Sequence, residues 1–191
     1  MRPSTIHANA RALAICLLAA TCAPAPASAA GTTPAPALVA VLPLGAAQSD
    51  VPYTVSPTPS ELRAMTAQLR AGRRTGGNTL LPLANVAAAV AAAGFVQANP
   101  DRACVVAECA RAIGRSLHAD RVVFGAVHRQ MAVVWSTDVA AVDVKTGRVL
   151  GALSLGYKGD VLSMVAGERR AGSCLMRLVE KQHPCPPDHG W

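Results

Sequence analysis

The sequence predicts one α/β (α+β) domain: a single mixed, largely antiparallel sheet with helices packed on it, in the order β-α-α-β-α-β-β-β-α. Three observations carry that expectation. A continuous apolar run, Ala37 to Leu44, reads as a strand covered on both faces. Three successive β-type stretches lie between Arg121 and Lys158. Four further segments place apolar residues at helical spacing between capping and stop signals.

The elements follow in order. Thr58 caps the first helix, Pro59 suits its first position, and Glu61 completes a capping box. Leu62, Met65 and Leu69 form its apolar stripe, and Gly72 ends it. Residues 45–57 before it read as a loop. Arg70, Arg73 and Arg74, beside Gly76 and Gly77, read as a solvated basic loop. Pro82 opens the second helix, with Leu83, Val86, Ala87 and Val90 on its inner side and Gly94 as its stop. Phe95 to Ala98 is expected as a short strand. The third helix starts near Ala107 and turns Ala110, Ile113 and Leu117 inward.

The strongest β signal is Arg121 to Gln130, followed by Val133 to Val144 and Arg148 to Lys158. Gly147 supplies the positive φ angle of the hairpin between the last two. Val149, Gly151, Leu153 and Leu155 share one face of the final strand, with Ala152 and Ser154 opposite. Asp160 caps a last helix over about 161–181. Val161, Met164, Val165, Ala171, Leu175 and Leu178 face inward, and Gly167 and Gly172 weaken its middle.

Residues 1–29 have the three parts of a secretory signal. Arg2 and Arg11 flank an acid-free start, Ala12 to Ala20 is apolar, and Ala27-Ser28-Ala29 offers a cleavage site. The apolar run is shorter than the roughly 20 residues a bilayer span requires. Cys22 offers an alternative route as a lipid-anchored protein. Such sites want Leu three residues earlier and Gly or Ala just before, where Ala19 and Thr21 stand, so cleavage after Ala29 is the expectation. The predicted organisation is therefore a signal peptide (1–29), a flexible leader (30–36), one domain (37–181) and a Pro/His/Cys tail (182–191).

Processing would leave 162 of the 191 residues, enough for one real core. The formal charge of +7 falls to +5 when Arg2 and Arg11 leave with the signal. In the periplasm that charge speaks for solubility, or for contact with an anionic membrane surface or acidic partner, and not for nucleic acid. Aromatic residues make up 3% of the chain, too few for a base-stacking platform.

Four cysteines would survive processing: Cys104, Cys109, Cys174 and Cys185. In an exported chain they read as two disulfides with three possible connectivities, of which Cys104–Cys109 and Cys174–Cys185 pair near neighbours in sequence. Residues five apart in one helix point to different sides, so a Cys104–Cys109 bond requires Cys104 to precede the helix.

From the residues alone no catalytic group is assigned and no cofactor is called for. Ser136, Ser154 and Ser163 lack a nucleophile motif. Asp138 and Asp143, five apart along a strand, project to opposite faces and do not form a carboxylate pair. His128 and Met131 are too few for a copper site. Cys104 and Cys109 have four residues between them, whereas redox pairs use two, so the pair reads as structural. The tail residues His183, Cys185 and His189 are the alternative metal ligands, and no metal site is favoured.

Ala110 to Val127, with Leu117, Ala119 and Asp120 followed by Gly125 and Val127, matches the A-x-x-L-G-A-D-x-V-x-G-x-V type of segment. Asp143 to Val149 follows as D-x-x-T-G-x-x. These stretches resemble an uncharacterised family of exported bacterial proteins and are more distantly similar to the amino-terminal domain of TolB and the periplasmic domain of CsgG. The resemblance implies a sheet-and-helix adaptor in the cell envelope, and the expected partner is another envelope protein, bound without catalysis. It implies no catalytic residue. The competing expectation is a periplasmic metal- or thiol-handling protein using the tail or the cysteine pairs. Partner-binding residues and oligomeric state are not legible from the sequence.

Overall fold

The structure, a computed structural model, describes residues 36–48, 55–72, 78–131 and 133–180. The expected signal, most of the leader, Arg73, Arg74, Gly76, Gly77 and the tail with His183, Cys185 and His189 lie outside the described residues.

The elements are β1 (Ala37–Val41), β2 (Gly45–Ala46), α1 (Pro59–Ala71), β3 (Asn78–Leu80), α2 (Leu83–Ala92), α3 (Ala107–Ser116), β4 (Arg121–Met131), β5 (Val134–Asp143), β6 (Val149–Lys158) and α4 (Val161–Val179). They form one six-stranded open sheet of order β3-β1-β4-β5-β6, with β2 continuing the β1 side of β4. β1 runs parallel to β3 and β4, and β4-β5-β6 is an antiparallel meander. The sheet is mixed and largely antiparallel, with helices on both faces.

Three strand assignments differ from the sequence expectation. Phe95 to Ala98 is not a strand: Val96 N–H turns back to Arg102 C=O at 2.9 Å, and only Gln97 C=O meets the sheet, accepting from Ala46. The missing pairings are made by β2, inside the expected loop, and by β3 just before Pro82. Both are two or three residues long, too short to show a period of two.

Local chemistry explains the better-matched elements. Glu61 N–H donates to Thr58 Oγ1 and the Glu61 carboxylate accepts from Thr58 N–H, so the capping box is closed. Asp160 Oδ1 accepts from Ser163 N–H at 2.9 Å at the start of α4. Asp143 Oδ1 accepts from Thr146 N–H at 2.7 Å, and Gly147 at φ 76° completes the β5–β6 turn. In α2, Val86 and Val90 are buried, while Leu83 and Ala87 are exposed, contrary to the expected inner stripe. That helix covers only the sheet margin, so two contact positions suffice.

Gly72 and Gly172 act at a helix–helix seam. Gly72 sits at φ −65°, so its backbone does not need a glycine. A Cβ there would lie 2.0 Å from Arg169 O, and one on Gly172 would lie 2.1 Å from Leu69 O. Both glycines let α1 and α4 approach backbone to backbone, a use the propensity argument for a weakened α4 does not anticipate. Ser173 Oγ ties the seam by donating to Gly72 O at 2.5 Å.

The core has two parts. One, between the sheet and α1/α4, gathers Val39, Leu44, Met65, Val123, Trp135, Val139, Tyr157 and Leu175. The other, beneath α2 and α3, gathers Leu42, Val86, Ile113, Val122, Phe124 and Val142.

Candidate functional site

α3 covers the beginning of β4 and the end of β5, where Gly114 packs on Val122 and Val144. Along the same face the rest of the meander carries no helix among the described residues. The strand register writes that face as a grid. Phe124, Ala140 and Ala152 lie side by side; the next row is Ala126, Asp138 and Ser154; then come His128, Ser136 and Gly156. Apart from Phe124, His128 and Asp138, every position carries a small side chain, so the surface is low and close to the backbone. Val105, from the segment before α3, forms a wall over Phe124 and Ala126 and closes a shallow, mostly apolar cleft of about 440 Å³.

Polar groups occupy the middle of the grid. Asp138 Oδ2 lies 3.1 Å from His128 Nε2, and Ser154 Oγ donates to Asp138 Oδ1 at 2.5 Å. The order Ser–Asp–His differs from a nucleophilic triad, in which histidine must stand between serine and carboxylate. Here the carboxylate stands between the other two and organises them as a polar patch. At 54% exposure Asp138 is a solvent-facing group.

The wall of the cleft is held by a disulfide. Cys104 and Cys109 are bonded with Cα atoms 5.7 Å apart, and Cys104 is buried in the segment that precedes α3. Cys104 N–H donates to Gln97 Oε1 at 2.7 Å, tying the wall to the 95–98 turn. Cys174 is also disulfide-bonded; Cys185 lies outside the described residues. Of the other singled-out residues, Ser163 serves the α4 cap and Met131 is 62% exposed at the hairpin tip, away from the His128 pair. Arg70 donates to Leu81 O at 2.7 Å, so it ties α1 to the sheet margin. The backbone N–H of Thr146 holds the Asp143 carboxyl below the usual carboxylate range, and the Ser163 N–H does the same for Asp160. No group of three or more His, Cys, Asp or Glu is placed to hold a metal among the described residues.

Sequence reasoning missed Glu168. It is 0% exposed in α4, between the helix and β5, and burial pushes its carboxyl up to about 7. Thr137 faces it, yet neither Glu168 oxygen nor the Thr137 hydroxyl completes a hydrogen bond among the described residues, and the neighbouring Trp135 Nε1 does not either. The signal was present: Glu168 follows Met164 by four and precedes Leu175 by seven, on the apolar stripe of α4. Arg129 lies over the Trp135 ring at 4.4 Å and reaches Glu61 at 3.5 Å.

Fold and surface together define a sheet-and-helix domain with α1 and α4 on one side and, on the other, a half that carries no helix among the described residues. Residues 39–163 match the DUF3280 family model, described as a protein of unknown function (DUF2380), and the chain belongs to that family. No curated protein matches it. Among solved structures, it is similar to the LpoB C-terminal domain from Salmonella enterica, with 16% identity over 68% of this chain and 87% of that one, TM-score 0.46. Lipoprotein GNA1162 from Neisseria meningitidis gives 19% identity over 65% and 82%, TM-score 0.46. TolB from Acinetobacter baumannii gives 13% identity over 76% of this chain and 29% of that one, TM-score 0.45. The uncharacterised family and the distant TolB likeness named from the sequence are thus met; the likeness to CsgG remains a reading of the sequence alone. No described helix is long and apolar enough to cross a membrane.

Proposed function

We infer that the processed protein is an exported cell-envelope module that binds a protein partner and does not catalyse a reaction. The observation that carries this reading is the open half of the β4–β5–β6 face. An antiparallel meander commonly leaves one face to solvent; here, among the described residues, that face is a small-residue platform beside an apolar cleft, a shape a partner can approach closely. The platform offers shape and a few polar anchors; its one serine–carboxylate–histidine cluster is ordered for structure and not for nucleophilic attack. Export is supported by the 1–29 pattern and by the cysteine bonding, which suits an oxidising compartment. Thiol chemistry has less support, because Cys104 is buried and bonded to Cys109.

Photo-crosslinking in living cells tests the reading. A benzophenone side chain replaces Ala152 or Ser136 on the platform, or Ala88 on the exposed side of α2 as control. A discrete crosslinked protein is expected from the platform positions and not from Ala88. Equal, diffuse labelling from all three would remove the platform as a binding face. Mass spectrometry of the purified protein is expected to begin at Ala30 with no free thiol; retention of Met1 would remove the envelope assignment.

A further inference from the structure

β6 ends the sheet, and no described strand lies on its outer side. It is ten residues long, Val149 to Lys158, and contains no proline and no acidic residue. Its backbone polarity can be worked out. Gly159 N–H donates to Val133 C=O at 2.9 Å, which fixes the alternation of bonded pairs along the antiparallel ladder. Two residues further in, Tyr157 faces Trp135, then Leu155 faces Thr137 and Leu153 faces Val139, and these pairs exchange the inner bonds. The N–H and C=O groups of Ala152, Ser154 and Gly156 therefore point away from the sheet. The side chains at these three positions are small, and no described atom lies within 4 Å of where a Gly156 Cβ would be.

The charges at the two ends of this edge are basic, while the nearest carboxylates are already engaged, Asp138 by Ser154 and His128 and Asp160 by the Ser163 N–H. Arg148 immediately precedes β6 and Lys158 ends it, and both are exposed. Gly167 of α4 packs on the Tyr157 ring, which places that flank of the helix over β6. Arg170, three residues on and so on the same flank, is also exposed. Proteins commonly protect a long free edge with charge. These cations work against a second copy: two β6 strands paired antiparallel about Leu153 put Arg148 of each opposite Lys158 of the other. The same cations attract a strand that carries carboxylates.

We propose that the β6 edge takes an extended, acidic segment of the partner protein as an added strand, bonded to the outward backbone groups of Ala152, Ser154 and Gly156 and flanked by Arg148, Lys158 and Arg170. This rests on the partner-binding reading above and specifies the partner's chemistry. Strand addition supplies affinity through main-chain bonds, and the flanking charges supply selection and register.

The test uses the processed protein and two fluorescent ten-residue peptides, one alternating valine with aspartate and the other valine with lysine, followed by anisotropy. The aspartate peptide is expected to bind saturably and the lysine peptide not to. Raising salt from roughly 50 to 500 mM should weaken binding about tenfold or more, because exposed charges are screened. Gly156→Pro removes one outward N–H without touching a bond to β5, and proline is tolerated on an edge strand; it should weaken binding about tenfold. Should that variant melt early, the exposed reversals Arg148→Glu, Lys158→Glu and Arg170→Glu combined provide the second check and should abolish binding of the aspartate peptide. Hydrogen exchange at Ala152, Ser154 and Gly156 should be fast alone and slow with peptide. Equal binding of both peptides overturns the charge assignment. Slow exchange at those amides without peptide overturns the proposal, with sedimentation telling a second copy from a segment of the same chain. Loss of peptide binding with the Ser136 crosslink intact removes the edge and leaves the binding-module reading standing; loss of both removes both.

Discussion

The two faces of the sheet are built to different rules. On the side of α1 and α4, large side chains (Met65, Trp135, Tyr157, Leu175) are sealed under two helices that touch backbone to backbone through Gly72 and Gly172. On the other side α2 and α3 cover only the β1 end of the sheet and the first part of the meander, and beyond them alanine, serine and glycine take over. Each strand of the meander serves both environments by alternation, so one residue step separates a core position from a platform position. Tight packing on one face allows the other to stay open without loss of the fold.

The comparison is broken most directly at the seam. Gly172→Val forces a side chain into the Leu69 carbonyl and should destabilise by about 3 kcal/mol or more, since the obstructing atoms are backbone; urea denaturation measures it. A valine at Gly156, on the open face, should change stability by less than about 1 kcal/mol.

Among the described residues, Glu168 is the one carboxylate that is wholly buried, on the side of α1 and α4, and it sets a pH test of the contrast. Its folded value of about 7 lies above the ordinary 4.5, so the native state holds a proton that the unfolded chain has released. Stability is therefore full below about pH 4.5 and is lost as pH rises through 7, with about 3 kcal/mol missing by pH 8.5. Glu168→Gln should be flat over that window and more stable than the parent at pH 8.5, by thermal or urea unfolding. An unchanged pH profile would mean that water reaches the carboxylate.

Next comes the cleft wall. Replacing Cys104 and Cys109 together by alanine should cost about 2 kcal/mol for so short a loop. Hydrogen exchange should rise in 95–106 and stay unchanged in α1 and α4. The smallest effect is expected for Asp138→Asn: an exposed pair with His128 contributes below about 1 kcal/mol, so stability should barely move.

Legibility followed the same division. The α1 cap, the buried Leu62, Met65 and Leu69, and the Gly147 hairpin were all local, and each stands where the residues place it. The alternation of Leu153 and Leu155 against Ala152 and Ser154 was legible too, because strand parity is a property of neighbours in sequence. Asp138 was correctly separated from Asp143 by that parity. Its meeting with Ser154 and His128 was not readable, since it depends on the register of three strands. β2 and β3 were missed because two or three residues have no period, and Phe95 to Ala98 was misread because Gln97 ties that turn to Cys104.

By itself the sequence determined the elements with their own punctuation, the number of helices, the meander and which side of each strand is apolar, all through interactions within a few residues. Only the tertiary structure decided which apolar face receives a helix, where two glycines become a contact seam, and that a glutamate on an apolar stripe ends up without water. Those outcomes depend on the relative placement of segments distant along the chain, and no local pattern encodes a distance between them.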